Sequence, residues 1–113
     1  MNQEEKDQLL RELHVYARAV AANAVQGRAK KVFDDYEKAL VYSKLDGTKS
    51  DYQLAAITKV PRRTVTRWVE EFVNNGLAVE SGKYEKAIFT LEELNVDSVS
   101  LKKEWEKKGA KSR

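Results

Sequence analysis

At 113 residues the chain has the length of one domain around a single core, and 42% apolar with 35% charged residues is a globular balance rather than a disordered one. The absence of cysteine excludes disulfides, thiolate metal sites and cysteine nucleophiles, and the single histidine, His14, leaves no material for an imidazole cluster. A net charge of +3 hides a segregation: residues 1–47 are neutral, residues 48–69 sum to +4, residues 70–101 to −5 and residues 102–113 to +4.

From Gln3 to about Val25 the pattern is helical, with Leu9, Leu13, Tyr16 and Val20 at spacings of four, three and four and Leu10, Ala17, Ala21 and Ala24 widening the stripe. Gly27 is expected to break or kink the chain. A second helix is expected from about Arg28 to Leu45, facing Val32, Phe33, Tyr36, Ala39, Leu40 and Val41 inward and stopped by Asp46-Gly47. Thr48-Lys49 reads as a short extended piece. Ser50 or Asp51 can cap a third helix, Asp51 to Thr58, and Pro61 suits the first position of a fourth that runs to Asn74 and closes on Asn75-Gly76. The period then changes. Leu77–Glu80 and Tyr84–Leu91 read as two strands joined across Ser81-Gly82-Lys83, and Asp97–Lys108 as a short amphipathic helix with Leu101 and Trp105 on one face.

The informative segment is DYQLAAITKVPRRTVTRWVE, Asp51 to Glu70. Two short helices can cross closely only with small and apolar residues at set offsets. Leu54 and Val60 fill the interior, Ala55 leaves room at the crossing, and Val65 and Trp68 turn inward. Thr58 stands where an aliphatic residue is usual, and Lys59 where the turn favours glycine for a positive φ. Residues 38–91 resemble a winged helix-turn-helix DNA-binding domain of bacterial and archaeal transcription regulators, and Val60–Glu80 is especially similar to its recognition helix and first wing strand. The resemblance implies a mainly α fold with a small β-hairpin, here with an additional N-terminal helix and a short C-terminal one.

The residues themselves point the same way. Val65, Trp68, Val69, Phe72 and Val73 make the inward face of the fourth helix, and Arg63, Thr66, Arg67, Glu70 and Asn74 the outward one. A major groove admits one helix, whose N-terminal half reaches base edges, and arginine's fork matches guanine O6 and N7. Arg63, Arg67 and Thr66 are therefore the candidate base readers, and Lys49, Ser50, Arg62 and Lys83 the candidate phosphate contacts. Glu70 and Glu71 limit deep insertion to the first two turns. Lys83 and Lys86 in the hairpin are flanked by Glu80 and Glu85, so a hairpin that only closes the core is an equal reading.

Tyr16, Tyr36 and Tyr42 read as core or interface residues, and the lysines after Leu101 as a solvated tail. No spacing suggests catalysis, a cofactor or a metal site, no apolar run reaches the roughly 20 residues of a membrane span, and the N-terminus is not a signal peptide. The expected organisation is residues 1–27 as a dimerisation helix, 28–96 as the DNA-binding domain and 97–113 as a short helix and basic tail. The expected function is sequence-specific double-stranded DNA binding by a cytoplasmic, nucleoid-associated transcriptional regulator, a homodimer through its N-terminal helix. The alternative is a winged-helix protein-interaction module without an operator.

Overall fold

The computed structural model describes residues 2–108. Five helices and one hairpin follow in order: α1 (Gln3–Val32), α2 (Tyr36–Ser43), α3 (Asp51–Thr58), α4 (Arg62–Asn74), β1 (Ala78–Ser81), β2 (Tyr84–Ala87) and α5 (Ser98–Lys107). The expected mainly helical class with a small antiparallel hairpin is present. Several boundaries differ from expectation, each for a local reason.

Helix α1 does not break at Gly27. One glycine costs about 1 kcal/mol in a helix interior, and alanine-rich sequence on one side with docked Ala29 and Val32 on the other outweighs it. The break comes at Phe33–Asp35 instead, where Asp35 accepts the Glu37 amide and caps α2. The expected division after residue 27 therefore falls inside one continuous helix. Moreover, Ala22, Val25, Ala29 and Val32 are buried, so the last third of α1 belongs to the core.

Helix α2 ends at Ser43 rather than Leu45. The chain turns extended at once, and Asp46 bridges Lys86 while the Ala87 amide donates to the Leu45 carbonyl. The extended piece thus lies at Asp46 rather than at Thr48-Lys49. Gly47, at φ +86°, serves the turn into α3 and does not cap α2. Ser50 caps α3 through a reciprocal box with Gln53. Pro61 stands just before α4 rather than inside it. At the far end Gly76 adopts φ +74°, and the Leu77 amide reaches back to the Phe72 carbonyl, the left-handed closure expected there.

In the hairpin Val79 faces Lys86 and Glu80 faces Glu85. The second strand stops at Ala87, short of Leu91. Ile88 donates one more bond to the Leu77 carbonyl, and the chain then turns through residues 90–95, where Thr90 and Glu93 cap each other reciprocally. That turn drives Leu94 fully into the core.

The core centres on Phe33, Tyr42 and Phe72, whose ring centroids lie 5.0–5.5 Å apart. Leu54, Val60, Val65, Leu77 and Leu94 complete it. Helix α5 folds onto α2. The Trp105 ring lies 5.2 Å from that of Tyr36, and its indole donates to Glu37 at 3.1 Å. The Leu101–Trp105 face is thereby packed within the chain. The basic tail beyond Lys108 lies outside the described residues.

Candidate nucleic-acid interface

Helices α3 and α4 meet through a turn in which Lys59 takes the left-handed conformation, φ 61° and ψ 29°. The Thr58 hydroxyl, buried where an aliphatic side chain was expected, donates to the Leu54 carbonyl at 2.7 Å and so carries no unmet polar demand. Leu54, Val60 and Val65 are almost fully buried at the crossing. This packing fixes which face of α4 looks outward.

Arg62, Arg63 and Arg67 are all exposed on that outward face, and with Thr66 and Glu70 they line one shallow, open depression. None of the three guanidinium groups makes an ion pair among the described residues. No side chain caps the N-terminus of α4, since the residue before it is Pro61. Its first-turn amides and partial positive charge therefore stand beside Arg62 and Arg63. Thr66 is half-buried, and its hydroxyl donates to Asp51 Oδ2 at 2.7 Å, with the Arg62 carbonyl at 3.1 Å. In this arrangement Thr66 ties α4 to α3, and only its oxygen lone pairs remain for a ligand.

Two of the expected phosphate contacts have partners inside the chain. Lys49 Nζ lies 2.6 Å from Asp46 Oδ2, and that bond holds the Asp46 carboxyl well below the usual carboxylate range. The Ser50 hydroxyl accepts the Gln53 amide as the α3 cap. Lys83 is exposed at the hairpin tip, its ammonium 5.7 Å from the centre of the Tyr84 ring.

The two glutamates in the middle of α4 have different fates. Glu71 turns inward and pairs with Lys38 of α2, whose side chain is only 8% exposed. Its charge is neutralised and does not face a ligand, contrary to the expectation that both glutamates limit the outward face. Glu70 alone stands on that face. With Asp51, Glu80 and Glu85 it lines a groove between α4 and the hairpin. The pleat puts Glu80 and Glu85 toward α4, and Val79 and Lys86 on the other side. Positive charge is thus concentrated at the start of α4 and gives way to acidic charge toward the hairpin.

A second cluster was not anticipated in the sequence. Arg18 of α1 forks onto Glu93, with one bond of 2.7 Å, and donates to the Ile88 carbonyl at 2.9 Å while standing 5.8 Å from the Phe89 ring centre. Its hydrogen bonds hold the Glu93 carboxyl below the ordinary range. Gln26 and Arg28 add bonds to the Glu93 and Asn75 carbonyls. Contacts 75 residues apart leave no local pattern, so no periodicity could have announced them. Among the described residues no helix is long and apolar enough to cross a membrane. Comparison of the chain with protein-family models, with curated proteins and with solved structures finds no match.

Proposed function

We propose that the chain is a winged helix-turn-helix protein that binds specific double-stranded DNA as a transcriptional regulator, with α4 in the major groove. One observation carries the reading: three ion-pair-free arginines share the outer face of the first two turns of a rigidly packed helix whose N-terminus is uncapped. Arg63 and Arg67 read bases. Arg62 and the α4 amides hold phosphate. Lys49 and Lys83 extend the backbone contact from either side, Lys49 by exchanging Asp46 for a phosphate. Thr66 orients the helix and accepts from a base or a water, and Ser50 contributes by holding the start of α3. Two copies act together through α1, because one recognition helix makes only a few base contacts.

A protein-interaction module is the second reading. The acidic groove of Asp51, Glu70, Glu80 and Glu85 favours it, since that groove repels phosphate.

Selection from genomic fragments at moderate salt separates the two. A DNA binder enriches a defined sequence and loses log affinity against log salt by roughly 0.9 per phosphate neutralised. Arg63→Ala or Arg67→Ala should relax specificity at defined positions by about 1–3 kcal/mol, whereas Lys49→Ala should weaken all sequences alike. No enriched sequence would hand the surface to a protein partner.

A further inference from the structure

Helix α1 carries two apolar faces that cannot serve the same partner. At about 100° per residue, Ala22, Val25, Ala29 and Val32 centre on one side, which is buried against the body. Leu9, Leu13, Tyr16 and Val20 centre on the opposite side and are 43%, 53%, 70% and 50% exposed. The body therefore cannot fold back over this stripe without giving up the contacts that seat α1, including the Arg18–Glu93 fork. Gly27 lies on the same outer face, with nothing within 4 Å of where a Cβ would stand, so the seam is open to its end. The helix projects as a free rod: the described chain spans 58 Å, and its radius of gyration is 16.4 Å against about 13 Å for a compact chain of this length.

Spacings of four, three and four are those of a two-helix seam. The charges along the rod then choose both the occupant and its direction. Residues 3–12 hold Glu4, Glu5, Asp7 and Glu12 against Lys6 and Arg11, whereas residues 13–32 hold Arg18, Arg28, Lys30 and Lys31 and no acid. A parallel pair would stack acidic half on acidic half and basic on basic. An antiparallel pair instead brings the net −2 of residues 3–12 in each copy nearer the net +4 of residues 13–32 in the other, and opposes the two helix dipoles.

Building on the dimer reading above, we infer that a second copy of the chain covers this face in antiparallel register, Leu9 against Val20 and Leu13 against Tyr16 of the other copy. Glu4, Glu5 and Asp7 of each copy then lie toward the stretch that leads to Arg28, Lys30 and Lys31 of the other. The docked stretches of the two α1 helices, centred on residue 27, come about 38 Å apart along the helix axis at 1.5 Å per residue. The two bodies sit on opposite sides of the helix pair.

The absence of native cysteine makes the orientation directly testable in the full chain. Leu9→Cys and Val20→Cys proteins, mixed, allowed to exchange and oxidised, should cross-link to each other. Leu9→Cys alone should stay uncross-linked, because its two copies would stand about 16 Å apart, beyond the roughly 7 Å that a disulfide can bridge. Self-cross-linking of Leu9→Cys without the mixed product would establish a parallel pair and overturn the register. A monomeric mass for the unmodified protein by light scattering at micromolar concentration would instead remove the dimer itself. Neither measurement contains DNA, so both outcomes are distinct from failure of the DNA-binding reading.

Discussion

Lys59 holds φ 61° in the turn between α3 and α4, a conformation that costs an L-residue with a Cβ about 1 kcal/mol and glycine almost nothing. Its side chain is exposed, so no contact repays the strain. Lys59→Gly should therefore raise stability by about 1 kcal/mol less the extra freedom of the unfolded glycine, a rise in Tm of a few degrees by calorimetry. A fall in Tm would mean that the freedom of the unfolded glycine, together with any contact the lysine makes, outweighs the strain. Tyr42 shows the opposite economy. Its hydroxyl donates to the Leu77 carbonyl at 2.8 Å and accepts from the Phe89 amide at 3.2 Å, tying α2 to the start and finish of the hairpin. Burial pushes this phenol up from 10.0 to about 12, with the Phe89 amide hydrogen bond pulling the other way. The folded state thus keeps a proton that the unfolded chain releases, so the stabilisation is complete below pH 10 and is lost as pH rises through about 12. Ultraviolet titration should show one phenol ionising in that late phase, and Tyr42→Phe should delete it.

At the scale of elements, α4 is placed by its two sides. The inward face was legible because Val65, Trp68, Val69 and Phe72 recur at helical spacing, and all four are buried. The outward arginines followed by complement. Adjacent Glu70 and Glu71 look alike in the sequence, yet about 100° of rotation sends one to solvent and the other onto Lys38. Removing Glu71 leaves the buried Lys38 ammonium with only the exposed Asp34 carboxylate, 3.9 Å away, a loss of several kcal/mol in a closed interior and less where a second carboxylate and water remain in reach. Glu71→Ala should accordingly destabilise by about 2 kcal/mol in denaturant unfolding. The paired change Lys38→Met with Glu71→Leu should recover most of that loss, and equal losses from both variants would show that volume rather than charge is at stake.

For the molecule as a whole, α1 decides the shape. Its last third is a wall of the core and its first two-thirds stand in solvent. Leu13 is half exposed in the single chain, so Leu13→Arg should leave the helical circular dichroism and the stability of the monomer within about 0.5 kcal/mol. In light scattering the same change should convert a dimer to a monomer. An unaltered dimeric mass would place the interface elsewhere. On the DNA-binding reading proposed above, affinity for a selected duplex should fall with this change even though Arg62, Arg63 and Arg67 are intact, because two linked binding units act as one.

Several features of this protein are properties of short stretches, and the sequence alone settles them. Helices α3, α4 and α5, a cap at Ser50 or its neighbour Asp51, the left-handed closure at Gly76 and the hairpin across Gly82 follow from spacing and from residues that suit particular dihedral angles. The outward row of Arg62, Arg63 and Arg67 belongs to the same class, since a helix's two faces are set by its period. Tertiary structure alone decided the rest. The continuity of α1 through Gly27 depends on Ala29 and Val32 being docked, which offsets the local cost of glycine. The Arg18–Glu93 fork, the Glu71–Lys38 pair and the Trp105–Glu37 contact join residues between 33 and 75 positions apart, and nothing periodic relates them. Whether Lys49 and Thr66 are free or engaged was equally undetermined, because the Asp46 turn and the α3–α4 crossing bring up their carboxylate partners. Local dihedral preference acts over a few residues and is written where it acts. Long-range pairing is selected by which apolar faces meet, and the polar side chains find their partners only once those faces have closed.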